Sequence, residues 1–332
     1  MPMRRTSGVA ALPGMAVAVL LATFAVLSAP TAARAASDFK VIATIKPLHA
    51  LVAQVMSGIG SPELLVKGAS SPHTFTLRPS EVRALNAADL FFRMSETVEP
   101  FTVQLVKALP KSVEVVTLQD APGLKLLALR TGATFEPHSH GKETAHGHGH
   151  SHAKPRKGDA IDGHAWLDPD NAKAMVDRIQ QVLAAKYPEH APAFKANAVA
   201  LGAKLDALAA ELDGDLKPIA DKPYIVFHDA FQYLERRYGL NVVGSISINP
   251  EVPPSAKRLT ELRRKIQSLS AVCVFAEPAF DRRLVDNLIE GTSARTGTLD
   301  AEGSSLDPGP DLYFALMRKL ASALKGCLAP PA

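Results

Sequence analysis

Two cysteines and a single tryptophan are all that 332 residues contain of either type, and each scarcity excludes something. Two cysteines, far apart in sequence, rule out a disulfide-stapled mini-fold. They also rule out a zinc module of four cysteines, or of a close cysteine pair with two histidines. Aromatic residues at 6% are too few to build a stacking platform for single-stranded nucleic acid. The chain also lacks G-x-S-x-G, the phosphate-cradling G-x-x-x-x-G-K-[ST], H-E-x-x-H and the dinucleotide pattern G-x-G-x-x-G. It therefore offers no ready signature of a serine hydrolase, a nucleotide-dependent enzyme or a zincin protease. Hydrophobic residues make up 47%, enough for a substantial core.

The one long apolar run, from about Met15 to Leu27, follows Arg4 and Arg5 and precedes Ala33-Arg34-Ala35. This is the order of a cleavable secretory signal peptide, expected over residues 1–35, and the run is short of the ~20 residues a membrane span needs. Removing it takes three arginines and no acid, so the formal charge of +4 falls to +1. The electrostatic support for nucleic-acid binding goes with it. Neither cysteine lies near the cleavage point, so the exported protein is expected free in the periplasm, without a lipid anchor. In that oxidising compartment a Cys273–Cys327 disulfide is expected, two unpaired buried thiols being the alternative.

Beyond residue 36, apolar strand runs alternate with helical periodicity. Strands are expected at Phe39–Ile45, Glu63–Val66, Leu90–Arg93, Val113–Leu118, Tyr224–Phe227, Leu240–Ile246, Val272–Ala276 and Arg295–Leu299. Helices fill the intervals, including one expected over Thr97–Leu109. The pattern is that of an α/β protein with mostly parallel sheets. Leu201, Leu205, Leu208 and Leu212, spaced by four, three and four, mark one long helix over 188–213, ended by Asp213-Gly214. The expected organisation is an N-terminal lobe over 36–187, that linking helix, and a C-terminal lobe over 214–332. A polar, glycine-containing break at 136–158 carries His138, His140, His146, His148, His150 and His152, and reads as a mobile loop.

The other five histidines separate by position. His49 lies inside the first helix and His190 at the start of the long one, so both read as structural or surface residues; Trp166 reads as packing. His73, His164 and His228 sit in loops that follow strands, where open α/β sheets bind ligands. Three imidazoles drawn from both halves point to zinc. Asp300, at the end of a strand, is the first candidate for a fourth ligand. Asp168, Asp229 and Glu277 are weaker ones, and Asp229 could instead orient an imidazole.

These segments resemble those of the metal-binding cluster of periplasmic solute-binding proteins that serve ABC transporters, and within it the zinc-uptake (ZnuA) type. The likeness is carried by IKPLHALVAQV at 45–55, GASSPHTFTLRPSEV at 68–82, ADLFFRM at 88–94 and the histidine-rich segment. GHAWLDPDNA at 163–172, VFHDAFQYLERRYGL at 226–240, CVFAEPAF at 273–280 and TGTLDAEG at 296–303 continue it. The resemblance implies two lobes bridged by a rigid helix, zinc ligands at His73, His164 and His228, and a disulfide matching Cys273–Cys327. It leaves Asp300 or water as the fourth ligand, because Pro72 stands where some zinc members carry a glutamate. It further implies a monomer that delivers Zn2+ to a membrane permease with a cytoplasmic ATPase, and no enzymatic activity. The histidine-rich loop would be an auxiliary, low-affinity collector. Two other readings of three histidines are a secreted zinc-dependent hydrolase, for which no positioned general base is evident, and a metal-dependent adhesin.

Overall fold

Strand alternation sorts the apolar residues of this chain onto two faces of each sheet. In the computed structural model, which describes residues 39–130, 158–247, 254–268 and 270–329, β1 (Val41–Ala43) sends Val41 and Ala43 into one cluster and Ile42 into another. β3 (Leu90–Arg93) does the same with Leu90 and Phe92 against Phe91. Both faces are covered, as parallel sheets require. The expected signal peptide and the six clustered histidines lie outside the described residues.

The first sheet adds β2 (Glu63–Leu64) and β4 (Glu114–Thr117), in the all-parallel order β2-β1-β3-β4. The second holds β5 (Tyr224–His228), β6 (Val242–Ser247), β7 (Cys273–Ala276) and β8 (Arg295–Thr298) in the parallel order β6-β5-β7-β8. In each sheet the first strand in sequence lies inside, with the next two on either side of it. That reversal opens a crevice at the carboxyl ends of the strands.

Helices α1 (Lys46–Val55), α2 (Pro79–Asn86) and α3 (Thr102–Ala108) belong to the first sheet. The start of α3 is later than the expected Thr97. Glu99 takes the Met94 and Ser95 amides onto its carboxylate, and Pro100 has no N–H to give, so this stretch forms a turn. α4 (Pro169–Lys186) and α5 (Ala191–Leu216) follow, α5 being the long helix that joins the lobes. It does not end at Asp213-Gly214 as expected. Gly214 costs roughly 1 kcal/mol in a helix interior, but Leu216 extends the buried stripe by another turn. The second sheet is covered by α6 (Gln232–Tyr238), α7 (Ala256–Ser268), α8 (Arg283–Ile289) and α9 (Leu312–Leu328).

α5 packs against α1, α4 and α9, so one continuous core runs between the lobes. The Cys273–Cys327 disulfide ties the start of β7 to the last turn of α9 across 54 residues. Closing a loop of that length is worth about 4 kcal/mol in the chain-entropy account. Gly297 on β8 makes room for this corner: a Cβ there would lie 2.5 Å from the Phe275 ring. Among the described residues, no helix is long and apolar enough to cross a membrane.

Candidate metal centre

Two loops and the end of one strand bring one histidine each to a common point. His73 follows β2, in the turn before α2; His164 precedes the short 3-10 turn Ala165–Leu167 that leads into α4; His228 ends β5. All three are buried, and their ligand atoms lie within 4.8 Å of one another. The ring centroids are 5.3 to 5.6 Å apart.

Each ring is held from behind. His164 Nδ1 donates to Asp162 Oδ1 at 2.8 Å, and that oxygen also accepts the His164 backbone amide at 3.0 Å. His228 is held in the same way by Glu277 Oε1, at 2.7 Å from Nδ1 and 3.1 Å from the amide. The His73 ring is held by a backbone hydrogen bond at Thr97. The three Nε2 atoms are buried and have no hydrogen-bond partner among the described residues. A buried polar atom left alone costs about 1–3 kcal/mol, so three converging ones call for a shared partner. A cation that accepts three imidazole lone pairs is the partner this donor set fits. Neutral imidazoles with Nδ1–H fixed on carboxylates are the tautomers such binding needs.

Electrostatics act in opposite directions on His73 and His228. Burial, then the neighbouring His164 and His228, push the His73 imidazole down to about 2, so it stays neutral. Burial is the largest influence on His228 and lowers it, but Glu277 together with Asp229 and Asp162 outweighs it and the net shift is upward.

Gly163 lets His164 approach. A Cβ there would lie 2.3 Å from Ser95 Oγ and 2.6 Å from Val98 Cγ2.

Beside His228 lies a cavity of about 20 Å3 walled by Glu277, Phe280, Asp300, Glu302 and Ser304. Room of that size suits one water-sized species. Asp300 therefore faces the same space as His228 but is not part of the histidine trio. Its Oδ2 accepts Ser304 Oγ at 2.9 Å and the Ser305 amide at 3.3 Å. The other carboxylates weighed from sequence have separate partners. Asp168 caps α4 through the Asp170 amide, Asp229 pairs with Arg130, and Glu277 orients His228. His49 bonds the Pro62 carbonyl, and His190 packs beside Phe39. Trp166 is fully buried with Nε1 on the Ala301 carbonyl.

Sequence reasoning passed over three residues. Asp162 stands two positions before His164, a spacing that could have flagged it as an orienting group. Glu302 and Lys46 gave no signal. Lys46 Nζ donates to the carbonyls of Gly303, Ser304 and Leu306, and so straps the segment after Asp300 to α1.

Two parallel-sheet lobes joined by one long helix, with three buried histidines converging between them, have the architecture of a solute-binding protein of the transport type. The chain belongs to the family of the periplasmic zinc-uptake complex component A, ZnuA, which it matches over residues 41–327. It is 44% identical over 306 residues to the high-affinity zinc uptake system protein ZnuA of Brucella suis, covering 87% of this chain and 91% of that one. The corresponding Haemophilus ducreyi protein is 32% identical, with coverage of 92% and 97%. Among solved structures, the laminin-binding adhesin Lmb of Streptococcus agalactiae superposes with a TM-score of 0.70 at 24% identity, over 87% of this chain and 98% of that one. The Zn(II)-bound ZnuA-like domain of Streptococcus pneumoniae AdcA gives 0.65 at 24% identity, with the same coverage. These two likenesses show the fold.

Proposed function

We propose that this protein captures Zn2+ in the periplasm and hands it to an ABC-type importer, a membrane permease driven by a cytoplasmic ATPase. His73, His164 and His228 are the zinc ligands in this reading, and Asp300 or a water completes the shell. The lobes that flank the ion are those expected over 36–187 and 214–332. Six further histidines between 138 and 152 act as a weaker collector. The observation that carries the reading is the convergence of three buried Nε2 atoms without a hydrogen-bond partner among the described residues. Zinc suits them because imidazole is among its preferred ligands and four-coordination leaves one position for an oxygen. The name borne by relatives that match nearly the whole chain supports zinc as the cargo.

Metal analysis of protein taken from the periplasm, followed by chelator-competition titration, tests this. One tight zinc equivalent is expected, weakened at least 100-fold in each of His73→Ala, His164→Ala and His228→Ala. Tight binding untouched by all three changes overturns the ligand set.

A further inference from the structure

Behind the histidines, the two lobes are joined by an ionic lattice centred on the half-buried Arg130, whose carboxylate partners are buried. The backbone before it pairs antiparallel with the segment leading to His164: Leu129 N donates to the Ala160 carbonyl, and Asp162 N to the Leu127 carbonyl, at 2.8 and 2.9 Å. This small ladder docks on α6, the helix that follows His228. Gln232 Nε2 donates to the Ala128 carbonyl and to Asp162 Oδ2, at 3.1 and 3.2 Å. Tyr233 Oη donates to the Asp162 carbonyl and accepts the Leu127 amide, at 2.6 and 3.0 Å. Asp162 is therefore fixed by the second lobe while it orients a histidine of the first.

Arg130 supplies the charge in this lattice. Its Nη1 donates to Asp229 Oδ1 at 3.1 Å and its Nη2 to Glu235 Oε2. The two carboxylates are 4% and 1% exposed. Asp229 adjoins His228 in sequence, and Glu235 lies one turn along α6. A guanidinium fork can hold two carboxylates at a set distance, which an ammonium cannot do as well. Removing it leaves two acids buried without their cation, beside the residues that orient two histidines.

We infer that Arg130 is a positioning residue for metal capture: its fork clamps the His164 segment of one lobe to the His228 strand end of the other. This rests on the three-histidine reading above, and it assigns to Arg130 no contact with the ion. His164 is oriented by Asp162 on the segment paired with residues 127–129, and His228 by Glu277 at the end of β7. A clamp that joins that paired segment to the end of β5 and to α6 is what keeps the spacing of the two rings from relaxing.

The test is chelator competition for the tight zinc equivalent, with the visible spectrum of the Co2+-substituted full-length protein as the geometric readout. Circular dichroism confirms that each variant is folded at the working temperature. Arg130→Met is expected to weaken zinc by about 10–100-fold, the usual effect of losing a group that orients ligands, and to alter the Co2+ bands. Arg130→Lys is expected to recover part of both. A folded Arg130→Met with wild-type affinity and bands overturns the inference, even if its melting temperature falls. Should Arg130→Met not fold, Arg130→Met/Asp229→Asn/Glu235→Gln removes the buried charges together. Weakened zinc there supports the clamp, and wild-type affinity overturns it. Failure of the underlying reading is separately visible, because tight binding would then survive His164→Ala and His228→Ala.

Discussion

At the scale of single residues, two of the three imidazoles have a carboxylate behind them. Asp162 and Glu277 each hold one ring by Nδ1 and the same residue's backbone amide. Asp162→Asn weakens the acceptor while keeping its shape. Zinc affinity is expected to fall about 10–100-fold with little change in melting temperature, as read by chelator competition and thermal denaturation. Glu99 offers a residue-scale test of a different kind. Burial pushes its carboxyl up to about 7, against hydrogen bonds from Thr44, Ser95 and Met94 and the nearby Arg93 charge. The folded state thus holds this proton more tightly than the unfolded chain does. Its contribution to stability is full below about 4.5 and is lost as pH rises from there through about 7. Urea unfolding of zinc-free protein at pH 5 and pH 8 should show wild type losing stability across this interval, by up to about 3 kcal/mol from this group. Glu99→Gln should flatten that difference; an unchanged pH slope in the variant would count against the assignment.

Among the elements, the turn before α4 is the most sensitive to volume. Gly163 is packed against Ser95, Thr97 and Val98 so closely that a methyl group has no space. Gly163→Ala should therefore destabilise by roughly 1–3 kcal/mol through overpacking. Because His164 is the next residue, zinc binding should weaken at temperatures where the variant is still folded. Calorimetric titration and a thermal melt on the same sample separate the two effects. The long helix is less demanding. α5 passes through Gly214 because Leu208, Leu212 and Leu216 keep one buried stripe against the core, and tertiary packing outweighs a local propensity of about 1 kcal/mol.

For the molecule as a whole, two classes of zinc binding are expected to separate. Histidines 138–152 lie in a stretch of sequence with no apolar period. Deleting 138–152 should remove the weaker equivalents in a calorimetric titration and leave the tight one. Loss of the tight one would place a primary ligand in that segment. Proton competition gives a second global test. Zinc needs neutral imidazole, and the upward shift of His228 means that its proton competes from above the ordinary value of 6.5. Affinity should decline as pH falls from 8 to 5, by about tenfold per pH unit where one proton is displaced. An affinity that stays flat over this range would argue against His228 as a ligand.

Periodicity and residue type were sufficient to place the strands, because alternation of β-branched and aromatic residues reflects burial on both faces of each sheet. They also singled out His73, His164 and His228, which the fold brings together, although His228 is the last residue of β5 and not in a loop after it. Which helix residue would be last was a different matter: the end of α5 and the start of α3 depend on packing and on the Glu99 turn, neither of which a local pattern contains. The partners that make the site were equally out of reach. Asp162 is near His164 in sequence, but Glu277 reaches His228 across 49 positions and Arg130 reaches Glu235 across 105. Local composition encodes how a segment folds against an apolar interior. The juxtaposition of groups far apart in sequence is fixed only by tertiary packing: Glu277 meets His228 when β7 pairs beside β5, and Arg130 meets Glu235 when the paired segments around Ala128 and Ile161 dock on α6.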